Sequence, residues 1–382
     1  MEFFRKLVRS FIPPSISVFV IQTIISLPPK LSRYLIASFT SPTKPQMKWV
    51  TLIEKDTWKG AWIGPSMSEC TGRPAELSKR IKKADLIIYK VHGGAFRVGH
   101  SLMYMEVFID WIELLKKKYN INALILSVDY SLAPESQYPV PVLECVGAYK
   151  YLVNTLKVPG SKIILSGDSA GGALCLETLI RIYAPDMLKD ILAPRTNFSV
   201  ELPAGILLVS PLVSADTNSW LWEFKEDLIT PALAKNVLKE YLNLPEADPA
   251  ELHLLKLTRI ESGYHRFAPK NVLCYVGERE VMRDVILKLT ECARSDGTTQ
   301  VEVRQENYEH NWYFIRELVA HHQNHVLQQC DEQFVDFAAN CLNQESDNLV
   351  KVVETLEVKD SLNLSSLKSR AKKAVKAVQV IS

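Results

Sequence analysis

The strongest chemical signal in the sequence is a serine between glycines, set where a β-branched run gives way to a helical one. Lys162–Ser166 reads as a strand, Gly167-Asp168-Ser169-Ala170-Gly171-Gly172 as a tight turn, and Ala173–Leu179 as the start of a helix. G-x-S-x-G in that setting raises a serine Oγ into a cleft, where it can act as a nucleophile. A side chain at position 167 or 171 would collide where strand and helix converge. The helix N-terminus behind Ser169 places positive dipole and free N–H groups beside a developing oxyanion. A glycine-rich βα loop that cradles phosphate is the plainer alternative; motif and context together favour the nucleophile.

A second run supplies what an acyl-transfer nucleophile needs. The apolar stretch Leu86–Val91 ends in His92-Gly93-Gly94-Ala95-Phe96. Consecutive glycines at a strand end let main-chain N–H groups approach a ligand closely. Gly93, Gly94 and Ala170 are thus the expected oxyanion donors. His92 is expected to hold this loop by hydrogen bonds rather than to act in the chemistry.

These loops must be carried by a scaffold, and the rest of the chain supplies one. Leu86–Val91, Ala123–Val128, Lys162–Ser166, Gly205–Ser210, Asn271–Val276 and Val301–Arg304 are short apolar runs. Amphipathic stretches separate them, among them Met103–Tyr119, Pro141–Leu156 and Val281–Ser295. Such alternation predicts an α/β fold with a largely parallel sheet covered on both faces. The stretch from Leu212 to Pro269 breaks the alternation and reads as a helical insertion that roofs the site. Charge is nearly balanced, 45 Lys and Arg against 43 Asp and Glu, so no basic field points to nucleic acid. Seven cysteines without a CxxC pair suggest neither a disulfide framework nor a zinc ribbon.

The two ends differ from this core. Arg5, Lys6 and Arg9 precede an apolar run from Phe11 to Leu27, and Lys30 and Arg33 follow it. The run contains prolines and small polar residues and falls near the lower limit of about 18 residues for a spanning helix. Residues 1–40 are therefore expected either to associate with a membrane or to form a cap over the entrance. Residues 41–342 form the expected catalytic domain. Residues 343–382 are a polar to basic tail in which Leu364–Val380 could form a basic amphipathic helix or remain solvated.

The ordered set His92–Phe96, Asp129–Glu135 with Tyr138-Pro139, and Gly167–Gly172 resembles the hormone-sensitive-lipase-like family of α/β-hydrolases. That family includes arylacetamide deacetylases and fungal steryl acetyl hydrolases. The resemblance covers roughly Leu86 to Asn340 and implies an α/β-hydrolase fold with a helical cap. Ala95 stands where the family has the third glycine of HGGG, which keeps an N–H but narrows the loop's freedom and the acyl pocket.

The same resemblance directs the search for an acid and a base, which in this fold follow the serine in that order. His310, in Glu309-His310-Asn311 after the last strand, is where the family carries its base. Gly277–Asp284 resembles the family's D-x-L-x-D motif, with Glu280 at the catalytic position and Asp284 at the second. Glu280 is the expected acid, Asp284 the alternative, and Glu278 a third candidate. His321 and His325 could in principle pair on a metal, but a solvated face is the expected reading and no metal or organic cofactor is required.

These expectations define a serine ester hydrolase acting on a short acyl group of a hydrophobic alcohol, steryl acetate being one candidate. A longer-chain acylglycerol lipase, an amide deacetylase and a noncatalytic interaction protein are the rivals. The expected surroundings are a membrane surface, with the catalytic domain in the lumen of the endoplasmic reticulum. Two N-x-S triplets, at Asn197 and Asn363, would be open to glycosylation there.

Overall fold

In the computed structural model, eight strands form one sheet in the order β1-β2-β4-β3-β5-β6-β7-β8. The structure describes residues 12–187, 201–214, 227–243, 257 and 260–343. Strands β3 (Leu86–Val91), β4 (Ala123–Val128), β5 (Ile163–Asp168), β6 (Gly205–Val209), β7 (Asn271–Gly277) and β8 (Gln300–Glu306) run parallel. All six overlap the predicted runs, β3 and β4 end to end, while β5 runs on through Gly167 and Asp168, which were expected in the turn. Every residue of β3 to β7 is buried, as strands covered on both faces require.

Two strands were not anticipated. β1 (Val50–Lys55) and β2 (Trp58–Ile63) form an antiparallel hairpin, and β2 joins β4 antiparallel at Gly60–Ile63. Glu54 and Lys55 end the outermost strand with exposed charges, which discourages pairing with another chain.

Side chains alternate across the sheet and divide the core in two. Ile87, Tyr89 and Val91 join the cluster that includes Cys145, Tyr149, Leu174 and Leu179, while Leu86 and Ile88 join the one that includes Phe108, Trp111, Phe334 and Ala338. Helices serve both faces. α1 (Pro14–Ser26), α2 (Pro29–Thr40) and the single turn α3 (Lys44–Met47) precede the sheet. α4 (Pro74–Lys83), α5 (Met105–Tyr119), α6 (Val140–Lys150), α7 (Ala170–Tyr183), α8 (Pro231–Leu242) and α9 (Arg283–Ser295) lie between strands, and a last helix covers 324–343. Of the expected helical insertion, α8 and a short turn at Tyr264–Arg266 are described. Residues 215–226, 244–256, 258 and 259 lie outside the described residues, as do Asn197, Asn363 and the segment Leu364–Val380.

In the N-terminal apolar run a helix starts at Pro14 and ends at Ser26, and the next helix starts at Pro29, beyond the run. Pro14 and Pro29 each occupy a helix start, where the missing N–H and fixed φ are tolerated. The run thereby becomes a helix of 13 residues. At about 1.5 Å per residue that is roughly 20 Å, against about 30 Å for a bilayer's hydrocarbon core. Among the described residues, no helix is long and apolar enough to cross a membrane. α1 and α2 pack beside the strand-end loops that carry Gly94, Ser169 and His310. Arg97 donates to the carbonyl of Ile25 at 3.1 Å, Arg33 to that of Arg97 at 2.9 Å, and Thr40 Oγ1 meets His100 Nε2 at 2.8 Å.

Candidate active site

Ser169 occupies the turn between β5 and α7 with φ 49° and ψ −120°, a conformation that a non-glycine residue holds only under constraint. The constraint is the near contact of strand and helix: a Cβ on Gly167 would meet the Gly171 carbonyl oxygen at 2.6 Å, and one on Gly171 the Val91 oxygen at 2.3 Å. Ser169 Oγ lies 2.8 Å from His310 Nε2. His310 comes from the loop after β8 and Glu280 from the loop after β7, so three strand ends bring the three groups together. Glu280 Oε2 lies 3.4 Å from His310 Nδ1, an ion-pair contact longer than a closed hydrogen bond. Both side chains are buried.

Burial pulls the His310 imidazole down, but the adjacent Glu280 carboxylate, with the charges of Asp227 and Asp168, outweighs it. The result lies above the ordinary histidine value. Asp284, by contrast, belongs to the first turn of α9, where it pairs with Arg283 at 2.9 Å and its side chain is 40% exposed. Glu278 is exposed. The structure thus brings Glu280 to His310 and leaves the other two carboxylates at the surface.

Facing Ser169 across the cleft is the loop after β3. The N–H groups of Gly93, Gly94 and Ala170 meet no acceptor among the described residues. Gly94 has φ 108°, and a Cβ there would meet the Val98 carbonyl oxygen at 2.1 Å. Ala95 and Phe96 follow with φ 57° and 56°, so the loop holds its left-handed path even where glycine is replaced. His92 stacks on Tyr130 at 4.3 Å, and Nδ1 lies 2.7 Å from the Gly93 carbonyl oxygen, which braces the loop as anticipated.

Behind the serine lies a polar network that sequence reasoning missed. Asp168 Oδ1 accepts from Lys90 Nζ at 2.7 Å, and Oδ2 from Tyr104 Oη at 2.7 Å and Asn311 Nδ2 at 2.8 Å. It ties Asp168, the residue before Ser169, to Asn311, the residue after His310. A lone lysine in the apolar run Leu86–Val91 was the available signal. Asp227 also went unread; it accepts the main-chain N–H of His310 at 2.7 Å.

Two cavities open from Ser169. One, of about 320 Å³, lies under the cap between Ile16, Val20, Ile24, Val98, Leu228 and Phe314. The other, of about 40 Å³, lies between Leu212, Ile229, Leu233, Val237, Leu238 and Met282. Ala95 lines both.

A buried serine, imidazole and carboxylate at the strand ends of such a sheet define an α/β-hydrolase. Residues 88–314 match the Abhydrolase_3 family, described as an alpha/beta hydrolase fold, and the chain belongs to that family. Hormone-sensitive lipase of Ictidomys tridecemlineatus is 28% identical over 207 residues, which cover 51% of this chain and 24% of the lipase. A Schizosaccharomyces pombe protein provisionally named steryl acetyl hydrolase is 27% identical, over 54% of either chain. An acetyl-hydrolase of Streptomyces hygroscopicus is 24% identical, over 65% of this chain and 74% of the other. The chain thus spans 24% of the length of the hormone-sensitive lipases it matches first. Among solved structures, a hormone-sensitive lipase from a metagenome library superposes with a TM-score of 0.64 at 19% identity, over 87% of this chain and 99% of that one. The protein EstE5 gives 0.62 at 20% identity, over 89% and 97%.

Proposed function

We propose that the chain is a serine carboxylic-ester hydrolase that removes a short acyl group from a hydrophobic alcohol. The observation that carries this reading is the position of Ser169 between two apolar cavities of unequal size, about 320 and 40 Å³. The smaller cavity is about an eighth the size of the larger, which favours a short acyl group on that side. That difference in size supports an acetyl group over a long acyl chain as the acyl part of the ester. The larger cavity suits an apolar ring system or chain on the alcohol side.

In this reading Ser169 Oγ attacks the ester carbonyl while His310 Nε2 takes its proton, and Glu280 stabilises the imidazolium that forms. Gly93, Gly94 and Ala170 donate to the oxyanion. His310 then returns the proton to the departing alcohol oxygen. Water, deprotonated by the same nitrogen, releases the acid and regenerates Ser169.

The test is a series of nitrophenyl esters of rising acyl length, followed by steryl acetates, with fluorophosphonate labelling of Ser169. Highest kcat/KM at acetate to butyrate is expected. A maximum at long acyl chains would favour the rival reading, an acylglycerol lipase whose acyl chain occupies the larger cavity. Absence of both turnover and labelling would favour a noncatalytic interaction protein.

The same reading includes a membrane surface. Phe19 and Tyr34, on the two cap helices, are 68% and 69% exposed, and Ile16, Val20 and Phe39 are exposed while lining the larger cavity. An apolar face continuous with the cavity mouth suits an enzyme that takes its ester from lipid. The endoplasmic reticulum, with the catalytic domain in its lumen, is the compartment proposed. The triplets at Asn197 and Asn363 support it.

A further inference from the structure

Asp227 stands outside the serine, histidine and glutamate set, yet it is bonded to both loops that carry the acid and the base. Its side chain is fully buried. Oδ1 accepts the main-chain N–H groups of His310 and Leu228, each at 2.7 Å, and Oδ2 accepts that of Val281 at 2.9 Å. Val281 follows Glu280. One carboxylate therefore spans the loop after β7 and the loop after β8, fixing the residue next to the acid and the base itself.

The main chain of Asp227 reaches a third element. Its carbonyl oxygen accepts from Gln22 Nε2 on α1. That helix supplies Ile16, Val20 and Ile24 to the larger cavity, whereas Gln22 does not line it. The cap and both catalytic loops thus meet at one residue.

A neutral acceptor could tie the loops, but this one carries a carboxyl group beside Glu280, a like charge. The Asp227 carboxyl is raised to about 6 in balance: burial and the Glu280 charge lift it, while the charge of His310 and the N–H groups of Val281 and His310 draw it down. His310 and Glu280 are the ionisable groups that act on it, and its charge in turn raises the His310 imidazole. Charge and bond direction both matter. An amide in its place could keep the bond from His310 but would set N–H against the N–H of Val281.

We infer that Asp227 is a positioning residue that sets the His310–Glu280 geometry and transmits the seating of cap helix α1 to it. The inference deepens the ester-hydrolase reading and rests on it for its kinetic arm alone. The experiment uses the full chain, the variants Asp227→Asn and Gln22→Leu, and the double variant. The readouts are kcat and KM on nitrophenyl acetate, and the His310 pKa by NMR of histidine-labelled protein, its signal assigned with His310→Gln.

Asp227→Asn is expected to lower kcat about tenfold or more with KM within about twofold. It is expected to lower the His310 pKa, because a negative neighbour is gone. Gln22→Leu is expected to reduce kcat several-fold and add nothing in the Asp227→Asn background, since both act through one element. An unchanged His310 pKa with kcat within about twofold would reduce Asp227 to a structural strut. Additive losses would sever the cap from it. Should Asp227→Asn fail to fold, Gln22→Leu still decides the coupling: no change in kcat or in the His310 titration would overturn it. A wild-type protein that hydrolyses no ester removes the functional reading only, because the His310 titration still reports the effect of each substitution.

Discussion

Lys90 Nζ and Asp168 Oδ1 lie 2.7 Å apart, and neither side chain reaches solvent. The ammonium also sits 3.7 Å from the centre of the Phe314 ring, while Asp168 collects two further donors. Burial draws the Lys90 pKa down, and the Asp168 charge and hydrogen bond hold it up against that. Such a pair gives modest net stability because desolvation offsets attraction, but removing one partner strands the other. The stranded group here would be a carboxylate directly before Ser169.

Lys90→Met is therefore expected to destabilise the fold by about 3–5 kcal/mol, read by calorimetry or denaturant unfolding. Adding Asp168→Asn should recover much of the loss, since no buried charge then remains unpaired. A single-variant loss under about 1 kcal/mol would show that water or a rearranged partner takes over the carboxylate.

The choice between carboxylates is tested by Glu280→Gln against Asp284→Asn. A neutral amide beside His310 cannot stabilise the imidazolium and favours the wrong tautomer, so kcat should fall by up to about 10⁴. Asp284 pairs with Arg283 at the surface of α9, and its loss should leave kcat within about twofold. The reverse ranking, with both variants folded, would move the acid to Asp284.

Much of this site could be read from residue order, and the reason is local. Gly167, Ser169 and Gly171 report a turn whose own backbone demands them, and the loop at Gly93–Gly94 reports a close approach in the same way. The parallel strands declared themselves as apolar runs. The hairpin β1–β2 did not, because Val50–Lys55 at the sheet edge mixes buried and exposed positions without a strict alternation. Pro13 and Pro14 read as interruptions of the apolar run, yet Pro14 starts a helix, as Pro29 does beyond it. Asp227 carried no signature at all. Its role arises only when the chain brings residue 227 against residues 281 and 310, and no neighbour in sequence announces that.

The pH dependence follows from His310. As the proposed base, His310 works as the neutral imidazole, present above its pKa, and that pKa is raised above its ordinary value. Activity should therefore be lost as pH falls through a point above the usual histidine value of about 6.5. Removing the Glu280 charge should move that limb to lower pH while lowering the plateau. A kcat/KM profile across about pH 5 to 9 measures both. An acid limb below the usual value in the wild type would mean that burial prevails over the carboxylates.

Acyl selectivity should reside in the smaller cavity. Leu233→Ala on α8 removes three carbons from its wall, and butyrate should gain on acetate by about tenfold in kcat/KM, the worth of a methylene or two in an apolar pocket. Ala95→Gly relieves a left-handed alanine and widens the same wall, so it should act in the same direction with a smaller effect. Unchanged ratios in both variants would place the acyl group in the larger cavity.

The cap supplies the last test. Phe19 and Tyr34 are exposed on α1 and α2 and do not line the larger cavity, so aspartate at both positions should spare hydrolysis of a water-soluble acetate. If this face lies on lipid, each ring contributes roughly 1.5–3 kcal/mol when buried there. Flotation with vesicles should then show the wild type bound and the Phe19→Asp, Tyr34→Asp variant released by tenfold or more. Activity on an ester dissolved in the vesicles should fall in parallel. Wild-type protein that stays at the bottom of the gradient would sink the lipid surface as a partner and leave the cap as a cover for the cavity alone. Compartment is a separate question, decided in cells: a glycosidase-sensitive shift lost in Asn197→Gln or Asn363→Gln places the domain in the lumen. Vesicle binding without any such shift, and with a protease-accessible domain in sealed microsomes, would put the same cap on the cytosolic leaflet.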